Sequence, residues 1–360
     1  MSKNKKIYDR YWKYTAAYTD LTGETATEAL STCVNYLNER GDKPYSQKDY
    51  AEMQRRVSEL DDIDSVSARK AINQFVKLGF LKPLLAGYNN ETIEFLNARD
   101  KDKRKSVLSK IVYKYANFDN SMTKPVASDS RQINFLIKTL EEVGKLTQKE
   151  LIALMTVNTD DFPKGYLTAK ELQDYYDKAE KNNFFKRKYN QVRHLRTLLN
   201  SLDNLTVRGT TIYFSGDDDN TEAEKVRKTR DPYLQSIFKS ELCQESISHY
   251  NSVKAKCMVE KLSHPVLIAS HIKPYSHCDE NDDSQFDVNN GLLLSKNIDS
   301  LFDLGYITFE DDGSIKPSPT LDDDMKNYLS GHRLDNAFLN DKRLNYLEYH
   351  REKIFRSGNK

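Results

Sequence analysis

The chain has no Cys-x-x-Cys pair among its four cysteines, a single tryptophan, and almost no charge imbalance, with 55 Lys and Arg against 54 Asp and Glu. Unpaired, scattered cysteines exclude a disulfide framework and point to a reducing, cytoplasmic setting. No apolar run approaches the roughly 18 residues that a membrane span requires, so no membrane partner is expected. Met1-Ser-Lys-Asn-Lys-Lys-Ile-Tyr8 opens with base but lacks an apolar stretch, which argues against a secretory leader. A net charge of +1 removes any global attraction to polyanions, so contact with nucleic acid has to come from local basic faces. No short repeat or low-complexity tract stands out. What remains is an ordinary folding composition, 38% hydrophobic and 30% charged, over 360 residues, enough for two or three domains.

The patterning divides the chain into an N-terminal helical part, an acidic linker and a C-terminal module. Thr25 to Arg40 carries an apolar helical stripe closed by Gly41, and Ser46 is placed to cap a second helix. Asp64 to Leu78 gives a third, closed by Gly79. Phe80 to Leu96, with a turn at Gly87 to Asn90, reads as two strands and the tip of a wing. Residues 1–118 are therefore expected to form a winged helix-turn-helix. Its third helix would enter the major groove of double-stranded DNA through Ser65, Ser67, Arg69, Lys70, Asn73 and Gln74.

A similar order recurs over 119–215. Helices are expected over Ile133 to Val143, Leu146 to Met155 (Thr147 a possible cap), about Leu167 to Lys181 and Tyr189 to Asn200. Alternating strands follow around Arg208-Gly209. Arg193, Arg196 and Arg208 are the DNA-binding candidates there, with His194 a surface or groove-facing residue. Lys186-Arg-Lys188 and the run Lys101, Lys103, Arg104, Lys105 are further basic faces, though such runs are commonly just solvated. Residues 216–228, beginning Gly-Asp-Asp-Asp-Asn, read as a linker, and 229–360 as the last domain with a helical, charged extension beyond Pro317.

The densest chemistry lies in that last domain. Leu267-Ile-Ala-Ser-His-Ile-Lys-Pro-Tyr275 reads as a strand ending in an exposed His. Asn289-Asn-Gly-Leu-Leu-Leu-Ser295 gives a second strand, and a short helix then carries Asp299 and Asp303 four residues apart, on one face. A group that titrates near neutrality and paired oxygen ligands suit metal-assisted hydrolysis of a phosphodiester.

From roughly 230 to 320 these residues resemble the HNH (ββα-metal) nucleases, in the subgroup whose motif runs Ala-Ala/Ser-His-Ile-x-Pro, Asn-Gly-Leu-x-Leu, Leu-Phe-Asp. The resemblance implies that His271 is the general base, that Asn290 fixes the loop and the base, and that Asp299 and Asp303 are the metal positions. Asp299 stands where many members have His, and Ser270 where some place a ligand. Asp is a hard oxygen ligand, which tilts the site toward Mg²⁺ or Mn²⁺. A structural zinc built from Cys243, His249, Cys257, His264, His277 and Cys278 is the weaker option, since only His277 and Cys278 are close in sequence.

The fold class expected is thus α+β and multidomain, two mainly helical winged helix-turn-helix domains followed by a ββα-metal domain. The function expected is a sequence-specific, type II restriction-like DNA endonuclease using one divalent metal and leaving 5′-phosphate and 3′-hydroxyl ends. It would act as a possible homodimer on DNA, with a cognate DNA methyltransferase in the same system. Two other readings stay open: a modification-dependent HNH nuclease, and a non-catalytic DNA-binding regulator with a degenerate HNH fold.

Overall fold

The computed structural model describes residues 11–14, 16–126, 130–186, 191–215, 231–278 and 283–357, so the expected linker lies outside the described residues. The chain falls into two compact units, 1–224 and 225–360.

The first unit begins with three helices whose ends are set by local chemistry. Helix α1 (Glu24–Arg40) stops at Gly41, whose φ of 65° favours glycine. Helix α2 (Gln47–Asp61) is capped by the Ser46 hydroxyl, which accepts the Asp49 amide at 3.0 Å. Helix α3 (Ser65–Leu78) is capped by Asp64 and closed by Gly79. Leu30, Cys33, Met53, Val57 and Ile72 interlock at the centre, all fully buried. The expected wing is not there. Between Phe80 and Leu96 the only strand-like feature among the described residues is one bridge, Leu81 to Tyr88, followed by helix α4 (Asn90–Asn97). Its buried Glu91, Thr92 and Phe95 follow helical spacing, and burial on that period overrides the turn signal of Gly87 to Asn90. Helix α5 (Lys101–Tyr115) then buries Val107, Leu108, Ile111 and Val112.

The rest of the unit runs α6 (Gln132–Val143), β1 (Lys145–Thr147), α7 (Gln148–Leu154), α8 (Ala169–Lys181), α9 (Val192–Asn200), β2 (Leu205–Arg208) and β3 (Thr211–Phe214). The strands form an antiparallel sheet in the order β1-β3-β2. Reciprocal capping boxes, Thr147 with Glu150 and Thr168 with Glu171, start α7 and α8. Both parts of the unit share a core. The Trp12 indole donates to the Val157 carbonyl at 2.8 Å and packs edge-on against Phe118 and Phe135. Ser106 and Ser109 both bond Asp203.

The second unit is a two-stranded antiparallel ribbon between helices. Strand β4 (Leu267–His271) pairs with β5 (Gly291–Ser295), with Leu267 opposite Ser295 and His271 opposite Gly291. Leu292, Leu293 and Leu294 are all fully buried, so neither ribbon face meets water there. Helix α10 (Pro232–Tyr250) covers one face, with Phe238 and Leu242 close against Gly291. Helix α11 (Lys296–Asp303) packs against both strands from the other side. A small hairpin of β6 (Ile307–Phe309) and β7 (Ile315–Pro317), then α12 (Asp323–Leu329) and α13 (Asp341–Lys353), completes the unit.

Candidate active site

His271 ends β4, and the structure buries it: 7% of its surface is exposed, against the sequence expectation of an exposed side chain. Phe238 of α10 is the reason, its ring stacked on the imidazole with centroids 4.6 Å apart and planes 19° from parallel. The His271 Nε2 lies 2.8 Å from the carbonyl oxygen of Gln285. A carbonyl only accepts, so Nε2 carries the proton of that bond and Nδ1 is the basic nitrogen. That is the tautomer a general base needs. Gly291, opposite His271, serves the same packing. A Cβ there would fall 2.4 Å from the Phe238 ring, so the Gly of Asn-Gly is required for space and not for backbone conformation.

Asn290 is fully buried. Its side chain brackets the residues after His271, Oδ1 accepting the Lys273 amide at 2.7 Å and Nδ2 donating to the carbonyls of Lys273 at 3.1 Å and Ser284 at 2.9 Å. Its own carbonyl accepts the Ile272 amide at 3.0 Å. All these bonds run to backbone, so Asn290 fixes the β4–β5 loop that also supplies Gln285.

The carboxylates lie across the ribbon. Successive strand residues alternate faces, so Ser270 looks toward α11 while His271 looks toward α10. Asp299, half-buried, meets Ser270 there. Burial lifts the Asp299 carboxyl above the ordinary carboxylate range, the Ser270 hydroxyl pulls it down, and the Asp303 charge pushes it further up. The Ser270 hydroxyl is itself buried without a hydrogen bond of good geometry. Helix α11 starts at the far end of β5 yet sets Asp299 beside Ser270, so it runs back along the ribbon. Asp303, one turn on, is carried toward the end where His271 sits.

Among the described residues no three His, Cys, Asp or Glu side chains converge on a point that could hold a metal. The oxygen set of Asp299, Asp303 and the buried Ser270 hydroxyl fits a weakly held hard cation that keeps several waters. It does not fit zinc, which favours nitrogen and sulfur donors. The residues considered for structural zinc have other neighbours: His249 pairs with Asp335 at 3.3 Å, His264 with Glu260 at 2.8 Å, and Cys257 is in the core.

In the first unit, Arg69 and Lys70 are exposed on α3 and Arg193 on α9, and Arg208 is exposed at the β2–β3 turn. Several other candidates are already engaged. Ser67 bonds the capping Asp64, and Asn73 bonds the Arg69 carbonyl and the Met122 amide, each at 2.8 Å. Gln74 is 1% exposed and its amide pins Ala17, Tyr18 and Tyr14, so it cannot reach a base. Arg196 braces the hairpin, donating to Gln148 at 3.0 Å and to the Gly209 carbonyl at 2.6 Å. The run at 101–105 is partly internal: Lys103 pairs with Glu94, and Arg104 bonds the Thr22 and Ala98 carbonyls. Arg187 and Lys188 lie outside the described residues.

Sequence reasoning missed Phe238, Gln285 and the residues of α13 that reach this loop. Gly291 was the available signal for the first, since a small residue opposite a candidate His invites a large side chain to pack across it.

Residues 257–310 match the HNH endonuclease family HNH_2, placing an HNH endonuclease domain in the second unit. The match spans β4, the loop, β5, α11 and β6. No curated protein matches the chain. No helix among the described residues is long and apolar enough to cross a membrane.

Proposed function

We propose that this protein is a DNA endonuclease that hydrolyses phosphodiester bonds with His271 as general base and a divalent cation held at Asp299 and Asp303. The observation that carries this reading is the paired placement within the HNH domain. A histidine has its tautomer set by the Gln285 carbonyl, and two oxygen ligands run back along the same ribbon toward it. His271 Nδ1 takes a proton from water, whose oxygen attacks phosphorus in line. The P–O3′ bond breaks and the departing oxygen takes a proton from water, leaving a 5′-phosphate and a 3′-hydroxyl. Asn290 holds the loop and moves no proton. A bound Mg²⁺ or Mn²⁺ would supply charge neutralisation at the phosphate and the leaving oxygen.

The first unit is read as the DNA-recognition part of a type II restriction-like enzyme. What supports this is its separation from the nuclease unit, and the arginines presented by α9 and the β2–β3 turn beside a three-stranded antiparallel sheet. One base and one cation cut one strand at a time. Double-strand cleavage therefore calls for a homodimer on double-stranded DNA, and a resident nuclease calls for a cognate DNA methyltransferase. The test is a supercoiled plasmid incubated with the protein in Mg²⁺. Nicked and then linear product is expected from wild type and none from His271→Ala, with DNA binding equal in both. Equal cutting by the two proteins would remove the assignment, and binding without cutting in wild type would leave a DNA-binding regulator.

A further inference from the structure

The helix that steadies the β4–β5 loop lies outside the matched domain. Helix α13 addresses that loop at successive turns. Asn340, which caps the helix, donates from Nδ2 to Asn289 Oδ1 at 2.9 Å. Arg343 is fully buried and forks onto Glu245 of α10 at 3.0 and 2.8 Å. The same guanidinium donates to the carbonyls of Phe338 at 2.7 Å and Val288 at 3.0 Å. Tyr346 reaches Asp287 Oδ2 at 3.3 Å, while Asp287 Oδ1 accepts both the backbone and side-chain N–H of Asn289 at 2.9 and 2.8 Å. Tyr349 meets His277 Nδ1 at 3.2 Å.

These contacts hold residues 287–289, the step immediately before Asn290, and Asn290 in turn holds Lys273 and Ser284. Gln285, whose carbonyl sets the His271 tautomer, lies between them. A buried guanidinium bonded to a carboxylate and two carbonyls has little freedom, because moving it leaves charge and carbonyls unpaired. Loop and helix meet through polar bonds of fixed direction, which specify geometry more tightly than apolar packing does.

We propose that Arg343, seconded by Tyr346, is a positioning residue for cleavage: through Val288 and Asp287 it fixes the loop that orients His271. The proposal rests on the nuclease reading above. It extends the working site to a helix that begins thirty-one residues beyond the end of the matched segment at 310.

The experiment uses the full chain and two variants, Arg343→Lys, which keeps the charge but loses the fork, and the milder Tyr346→Phe. Plasmid nicking in saturating Mg²⁺ gives kcat and KM, and hydrogen exchange follows the Lys273 amide against the amides of the β4–β5 ladder. Partners behind a reacting group typically carry about 10- to 100-fold in activity. Arg343→Lys is therefore expected to lower kcat by about that factor with KM within about twofold, and Tyr346→Phe by a smaller factor in the same direction. The Lys273 amide should exchange at least about tenfold faster in Arg343→Lys while the ladder amides are unchanged.

Faster exchange in the ladder as well would make α13 a general support of the fold and overturn the proposal. Unchanged kcat in both variants, or a loss appearing only in KM, would also overturn it. If wild type cuts no DNA, the nuclease reading fails. The exchange data then still decide whether Arg343 holds the loop, and an unchanged Lys273 amide would refute that too.

Discussion

His350 offers a prediction whose size follows from the structure. It lies on α13, 1% exposed, with its ring stacked on Phe302 at 3.9 Å. Nε2 bonds the Phe302 carbonyl at 3.1 Å and Nδ1 meets the Thr308 hydroxyl at 3.0 Å. The carbonyl fixes Nε2 as donor, so Nδ1 accepts from Thr308 and the ring is neutral. Burial pushes its pKa down from 6.5 to about 4, with Arg351 pushing the same way and the Phe302 carbonyl opposing. The unfolded chain therefore binds a proton that the folded one refuses between these values. Stability from this group is fully present above pH 6.5 and is lost as pH falls toward 4.

The full window is worth about 3 kcal/mol at roughly 1.4 kcal/mol per pKa unit, of which about 2 kcal/mol is gone between pH 8 and pH 5. Native-state hydrogen exchange of the slowest β5 amides measures it in the second unit directly. The only tryptophan, Trp12, lies in the first unit and reports that unit separately by fluorescence. In wild type the opening free energy of the β5 amides should drop by about 2 kcal/mol over this range beyond any drop in His350→Gln. Parallel pH profiles for the two proteins would refute a neutral, buried His350.

Gly291→Ala should cost about 1–3 kcal/mol, because its Cβ would fall within 2.4 Å of Phe238, and it should abolish nicking by unseating the ring stacked on His271. Thermal unfolding and the plasmid assay check the two parts. Asp299→His should keep some activity and move the metal preference toward Mn²⁺, Co²⁺ or Ni²⁺, since imidazole suits those ions. An active variant with an unaltered metal profile would show that Asp299 does not touch the ion. Arg193→Ala and Arg208→Ala should each weaken DNA binding and lower the slope of log affinity against log salt by about 1, as loss of one phosphate contact does. An unchanged slope in anisotropy titrations would place DNA elsewhere on the first unit.

Much of the fold was legible wherever a local signal decides. Ser46, Thr147, Gly41, Gly79 and Gly144 mark helix ends through caps and left-handed backbone, and these depend on few neighbours. Strand β4, strand β5 and α11 fall where the His-terminated apolar run, the Asn-Gly opening and the Asp spacing put them. The misreadings have a common cause, which is burial that local patterning does not reveal. The 80–96 segment holds a Gly-Tyr-Asn-Asn turn signal, but Phe95 packs on Phe80 and recruits those residues into a helix. The 101–105 charge run concealed the apolar stripe of α5 that follows it. His271 looked exposed because the trace that Phe238 leaves in the sequence, the small Gly291, lies twenty positions away. The grip of α13 on the loop was equally silent, being made of Asn, Arg and Tyr side chains that read as solvated surface until their partners are known.

The separation of Arg343 from Asn290, fifty-three positions along the chain, also has a meaning in time. A ribosome adds about 5–20 residues each second, so the histidine loop is synthesised roughly 3 to 10 seconds before the arginine that secures it. Throughout that interval the first unit has already been made and is free to fold. On the proposed reading, a nascent chain would complete its recognition unit before the histidine loop is secured, and a polypeptide cut short between α11 and α13 would carry that loop without its clamp.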